Sequence, residues 1–200
     1  MLVVNLFGGP CTGKSTLAAS LFAALKMRGY NVELVTEFAK DLVWTERTKE
    51  LEDQVYILGK MYHKLWRLKD KVAVAIVDSP LLLCTCYDKG RTKNFNEFVL
   101  GLHYSFNNYN ILLQQNFKYQ KIGRYQDEET AKQQHLEICT MLNEYDIYYH
   151  TKSVPVNTGG ETQGEYNSFV QSLIDNFEWL ILQENEMLSE KFIDIHEEIY

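Results

Sequence analysis

From Gly8 to Ser15 the chain reads Gly-Gly-Pro-Cys-Thr-Gly-Lys-Ser: one glycine, four residues, then Gly13-Lys14-Ser15. The apolar run 2–7 precedes it, and Leu17, Leu21, Ala24 and Leu25 follow at helical spacing. Strand, glycine-rich loop, then helix is the setting in which this pattern grips phosphate. Glycines let backbone N–H groups turn inward, and the helix N-terminus adds the positive end of its dipole. Lys14 would reach the β- and γ-phosphates, and the Ser15 hydroxyl would ligate Mg²⁺. Gly8, Gly9, Pro10, Cys11, Thr12, Gly13, Lys14, Ser15 and Thr16 are therefore expected to hold a nucleoside triphosphate with magnesium. A mere tight turn would not need Lys-Ser at those offsets. Cys11 is small enough to fit; a helix N-terminus lowers a thiol pKa, but neighbouring phosphate would oppose that.

The fate of the phosphate is written just after the other apolar runs. The run 72–78 ends in Asp78, which suits a magnesium carboxylate and also suits a helix cap. Ser79 follows, where machines that hydrolyse ATP commonly carry a glutamate, and no second region suggests an AAA+ lid domain. Both features point to transfer onto a bound acceptor. Glu37 follows the run 31–36 and could accept the proton of an attacking hydroxyl. It is equally at home as a dipole-favoured residue at a helix start. As a base it would repel a phosphate monoester, which tilts the acceptor towards a neutral hydroxyl. The segment 116–126 carries Lys118, Lys121 and Arg124 and suits a lid closing cations over the phosphoryl group, or a solvated charged loop. Lys14, Glu37, Asp78 and Arg124 make the catalytic set; Ser15 and Asp78 would hold the metal. Gln54 and Arg91 are the acceptor-binding candidates, Arg91 also reading as a plain surface charge. Tyr62, His63 and Tyr87 lie on the same segments, the first two reading better as packing residues. Residues 153–160 are placed to grip an adenine.

The elements that must position these groups alternate. Strands are expected at 2–7, 31–36, 72–78, 109–115 and 146–154. Helices are expected from Lys14 to a cap at Gly29, over 48–70, 94–106, 127–144 and around 166–177. The long helix should turn Leu51, Val55, Leu58, Tyr62, Leu65 and Leu68 to the core, and the stretch from 179 reads as a strand then a helix, or one helix. Strand–helix alternation implies parallel crossovers, hence a three-layer α/β/α P-loop architecture with about five parallel strands. Ligands of such sheets sit at the carboxyl ends of the strands. The whole of 1–200 is read as a single domain with a lid at about 116–126 and a C-terminal extension at about 179–200.

Composition sets the outer limits. Two hundred residues, 46% hydrophobic, can build one ordinary core. A net charge of −7 argues against a nucleic-acid-binding surface as a whole. No leader or apolar stretch of spanning length is evident, and the four cysteines match neither a zinc site nor a disulfide framework, so a cytoplasmic location is expected.

The stretches FGGPCTGKSTLA, ELVTEFAKDLVW, ELEDQVYILGKMYHKLWRL, IVDSPLLL and GRYQDEETAK resemble phage-encoded P-loop ATPase/kinase proteins over about residues 1–145. More distantly they resemble the kinase domain of nicotinamide riboside kinase-like proteins. The matching positions are Gly8–Thr16, Glu37–Lys40, Gln54 and Asp78–Ser79. The resemblance implies ATP-dependent phosphorylation of a nucleoside-like small molecule, in the host cytoplasm if the chain is phage-encoded. Phage kinases acting on hydroxymethylated bases in DNA are a further relation, so modified DNA stays open as an acceptor, as does a non-catalytic NTP switch. The chain departs from its relatives at Cys11 (commonly Gly or Ser), Phe38 (Tyr) and Lys40 (Arg); Lys40 cannot make a bidentate arginine contact.

Overall fold

The structure, a computed structural model, describes residues 1–114, 128–155 and 162–197. Five strands form one sheet: β1 (Leu2–Phe7), β2 (Val32–Val35), β3 (Val74–Val77), β4 (Asn107–Leu113) and β5 (His150–Lys152). All pairings are parallel, in the order β2-β3-β1-β4-β5. Every residue of β1 is buried, as a central parallel strand covered on both faces requires. From β1 the chain crosses to the edge strand β2, returns to β3 between the two, then passes to β4 and β5 on the other side of β1. The carboxyl end of β1 lies at the switch point of the sheet, where folds of this kind bind their ligands.

Helices cover both faces. Leu2, Val4 and Leu6 pack with α1 (Lys14–Met27) and α7 (Thr162–Glu197), through Leu17, Leu21, Leu173, Ile174, Phe177 and Ile181. Val3 and Phe7 face the other way, towards α2 (Phe38–Trp44), α3 (Gln54–Trp66), α4 (Leu83–Asp88), α5 (Phe95–Tyr104) and α6 (Glu128–Glu144). The alternation along β1 therefore divides two cores, and the three-layer α/β/α reading holds. Phe177 is fully buried against the Tyr109 ring, 5.2 Å between centroids.

Several boundaries differ from the sequence reading, each for a local reason. The expected helix over 48–70 is interrupted. Thr48–Glu52 forms a 3-10 turn, and Asp53 starts a new helix by accepting the Tyr56 N–H at 2.9 Å. The inward face of α3 is consequently Gln54, Ile57, Leu58, Met61 and Leu65, whereas Val55 is exposed. Helices α2 and α4 are not among the elements expected from the sequence. β4 begins at Asn107 and ends at Leu113, and β5 covers only 150–152 of the expected 146–154. The tail resolves as one helix: Val170, Leu173, Phe177, Ile181, Glu184 and Leu188 keep the 3.6-residue spacing that buries one face. Glu184 is buried there, paired with the Met1 ammonium and accepting from Asn107 Nδ2 at 3.0 Å. Gly29 has φ 82°, the left-handed conformation its place after α1 demands. The proposed lid at 116–126, with Lys118, Lys121 and Arg124, lies outside the described residues, as does 156–160 of the adenine segment.

Candidate functional site

The loop after β1 is built around its glycines. Gly8 has φ 142°, and a Cβ there would stand 2.7 Å from Thr12 Oγ1 and 2.9 Å from the Leu113 carbonyl. Gly13, at φ 86°, occupies the N-cap of α1 with no side chain to satisfy the first-turn N–H groups. Those groups suit an anion. Cys11 sits buried at φ 64°, a left-handed conformation that costs a non-glycine residue roughly 1–2 kcal/mol. A glycine would adopt that backbone without strain.

Lys14 turns back into the loop and donates to the Gly8 and Gly9 carbonyls at 2.7 and 2.8 Å. Buried Thr12 adds a third bond, Oγ1 to the Gly9 carbonyl at 2.9 Å. Ser15 and Thr16, in the first turn of α1, are exposed.

Asp78 stands one residue beyond β3, its N–H donating to the Val35 carbonyl. It is 5% exposed, and its Oδ1 accepts no hydrogen bond from any described residue. A buried carboxylate oxygen in that condition is costly unless something else pairs with it. Residues and geometry fit Mg²⁺, which takes one or two carboxylates together with substrate phosphates and water. Among the described residues no cluster of three metal-ligating side chains gathers, and such a site needs none.

Glu37 follows the same edge: Val35 pairs with Val77, and Glu37 lies two residues past it as the N-cap of α2. Its side chain makes no cap hydrogen bond and is half-buried. Burial, then the Glu37 carboxylate, push the Tyr87 phenol well above its ordinary range. The backbone beside Glu37 is clamped by α3. Lys64 Nζ donates to the Thr36 carbonyl at 2.8 Å and lies over the Phe38 ring, gripping the residues on either side of Glu37. Phe38 also meets Tyr56 edge-on at 5.4 Å, which brings the first turn of α3 to this junction.

In that first turn Gln54 is 4% exposed. Its Nε2 donates to the Leu51 carbonyl at 2.7 Å, and its Oε1 has no hydrogen-bond partner among the described residues. Arg91 lies exposed on the turn after α4, where Asp88 holds Thr92. Tyr62 packs edge-on against Phe106, and His63 is exposed and stacked on Trp66. Both match the packing reading. Burial raises the Cys84 thiol to about 12 and the Cys86 thiol to about 11, which makes them inert at neutral pH.

One contact at the loop was not foreseen: His135 of α6 accepts the Gly9 N–H on Nδ1 at 3.2 Å. The available signal was a histidine amid the apolar stripe of α6, where Ala131, Ile138 and Leu142 are buried.

Sheet order, loop and buried carboxylate together define a P-loop protein with a kinase-like α/β fold. A family model described as an AAA domain (AAA_28) matches residues 3–158, and the chain belongs to that family. Among solved structures, deoxyadenosine kinase from M. mycoides with dATP bound is similar at 16% identity, covering 88% of this chain and 100% of that one, with a TM-score of 0.53. The same enzyme with products dCMP and a flexible dCDP aligns at 15% identity, covering 89% and 99%, with a TM-score of 0.52. At such identity the likeness shows the fold. No curated protein matches the chain. Among the described residues no helix is long and apolar enough to cross a membrane.

Proposed function

We propose that the chain is a Mg-ATP-dependent phosphotransferase that moves the γ-phosphate to a hydroxyl of a nucleoside- or nucleotide-like small molecule. The observation that carries this reading is the buried, unsatisfied Asp78 Oδ1 on the strand next to the phosphate loop, with the half-buried Glu37 on the same sheet edge. Bound there by Asp78 and Ser15, Mg²⁺ would neutralise charge on the phosphates. Lys14, held by two loop carbonyls, offers its ammonium to the transferring group. Glu37 takes the proton of the acceptor hydroxyl. With its Nε2 engaged by Leu51, Gln54 presents Oε1 as an acceptor, so the group it recognises is an N–H or O–H donor on the small molecule. The same reading assigns Arg124 of the segment 116–126 the role of a lid cation for the transferring phosphoryl group and Arg91 a contact to the acceptor, in a single-domain chain that works in the cytoplasm.

A second reading draws on the family description: an ATPase or nucleotide-dependent switch using the same loop without an organic acceptor. Labelled γ-phosphate ATP with magnesium, offered nucleosides, nucleoside monophosphates, nicotinamide riboside and hydroxymethylated DNA, separates the readings. Label on one small acceptor supports the kinase, and label on DNA replaces the acceptor class. ATP binding without transfer to any of them overturns the phosphotransferase reading.

A further inference from the structure

The peptide group that joins Gly8 to Gly9 is bonded at both ends. Its carbonyl, on Gly8, accepts from Lys14 Nζ at 2.7 Å, while its N–H, on Gly9, donates to His135 Nδ1 at 3.2 Å. The next carbonyl, on Gly9, accepts from Lys14 Nζ at 2.8 Å and from Thr12 Oγ1 at 2.9 Å. His135 reaches it across 126 residues of sequence. An Nδ1 that accepts leaves the ring proton on Nε2, which lies 3.8 Å from Cys139 Sγ, one turn along α6. Burial, then the Lys14 ammonium, push the imidazole below its ordinary range, which keeps Nδ1 available as an acceptor at neutral pH. The helix sits hard against the loop: a Cβ on Gly9 would stand 2.9 Å from the Ala131 carbonyl and 2.9 Å from His135 Cβ. Gly9 is thus glycine because α6 lies on it, not for a positive φ.

We propose that His135 is a positioning residue of the phosphate loop, holding the Gly8–Gly9 peptide so that its carbonyl, on Gly8, fixes the Lys14 ammonium. This rests on the reading that the loop binds a nucleoside triphosphate. Without the Nδ1 acceptor the buried Gly9 N–H is left unsatisfied, and the Gly8–Gly9 peptide is free to rotate, taking the Gly8 carbonyl away from Lys14. A contact that served packing alone would change the stability of α6 and leave nucleotide handling untouched.

Two polar replacements separate these roles. In His135→Asn the side-chain oxygen can stand near the place of Nδ1; in His135→Gln it reaches towards the place of Nε2, away from Gly9. MgATP affinity is measured by calorimetry beside the melting temperature, for each variant and again in a Lys14→Ala background. One lost buried hydrogen bond predicts about tenfold weaker MgATP binding for His135→Gln and near-native binding for His135→Asn. In the Lys14→Ala background the two variants should bind alike, because the ammonium being positioned is gone. Equal affinities of Asn, Gln and wild type, or an undiminished difference without Lys14, overturn the positioning role while leaving the loop assignment standing. Failure of the wild type itself to bind MgATP overturns both.

Discussion

The two halves of the site differ in how far the protein satisfies its own polar groups. In the proposed nucleotide half, the two peptides flanking Gly9 are bonded by Lys14, Thr12 and His135. In the half proposed to face metal and acceptor, Asp78 Oδ1 and Gln54 Oε1 are buried without a partner among the described residues. Buried polar atoms without partners cost stability, and at these two positions the cost is offset when a metal or acceptor binds, on the function proposed. The nucleotide half is a finished cradle; the acceptor half is completed by its ligands.

Substitutions can break this contrast. The largest expected effect is at Glu37. Glu37→Gln should lower phosphoryl transfer about 10²–10⁴-fold with MgATP affinity unchanged, checked by rapid-quench kinetics and calorimetry. Unaltered transfer would leave Glu37 as a helix-start residue only.

Next is an effect on the fold that must be separated from either half. Burial pushes the His103 imidazole down to about 4 from the ordinary 6.5. Between those values the unfolded chain binds a proton that the folded one does not. Stability therefore falls as pH drops from 6.5 towards 4 and levels off below it, by at most about 3 kcal/mol. Urea titrations of wild type and His103→Phe should diverge in that window, and parallel pH curves would refute the assignment.

Gln54 sharpens the comparison. Gln54→Met removes an unsatisfied buried oxygen together with one hydrogen bond to Leu51. The melting temperature should hold or rise, while the acceptor KM rises about tenfold, the cost of one recognition bond. A clear loss of stability with unchanged KM would make Gln54 a structural residue. The smallest effect is at exposed Arg91. Arg91→Ala should change the KM of a neutral acceptor by less than about threefold, under ~1 kcal/mol. A larger loss confined to phosphorylated acceptors would show that the acceptor carries an anion.

What could be read in the sequence divides along the same line. The phosphate loop is contiguous, so its chemistry shows in eight residues, and the alternation of apolar runs announces the parallel sheet that exposes Asp78 and Glu37 at one edge. His135, Lys64 and Glu184 act across large separations in sequence, and no local spacing marks them. Asp53, which starts α3 afresh, was hidden inside an amphipathic run with the right period. The tail was ambiguous because Trp179–Leu182 has strand-like composition; the packing of Phe177, Ile181 and Leu188 decides for a helix. The Asn5 side chain, in the middle of an apolar strand, found Asn108 and Asn110 on β4, at 2.9 Å each, a ladder visible only once the register is known.

The most direct test of the account is where the γ-phosphate goes. Single-turnover reactions with labelled ATP, with and without the acceptor found in the panel, should put the label on that acceptor. Little inorganic phosphate should form in its absence, and the signal should vanish in Lys14→Ala. Release of phosphate to water at the same rate with or without acceptor would contradict the central claim and make the chain an ATPase.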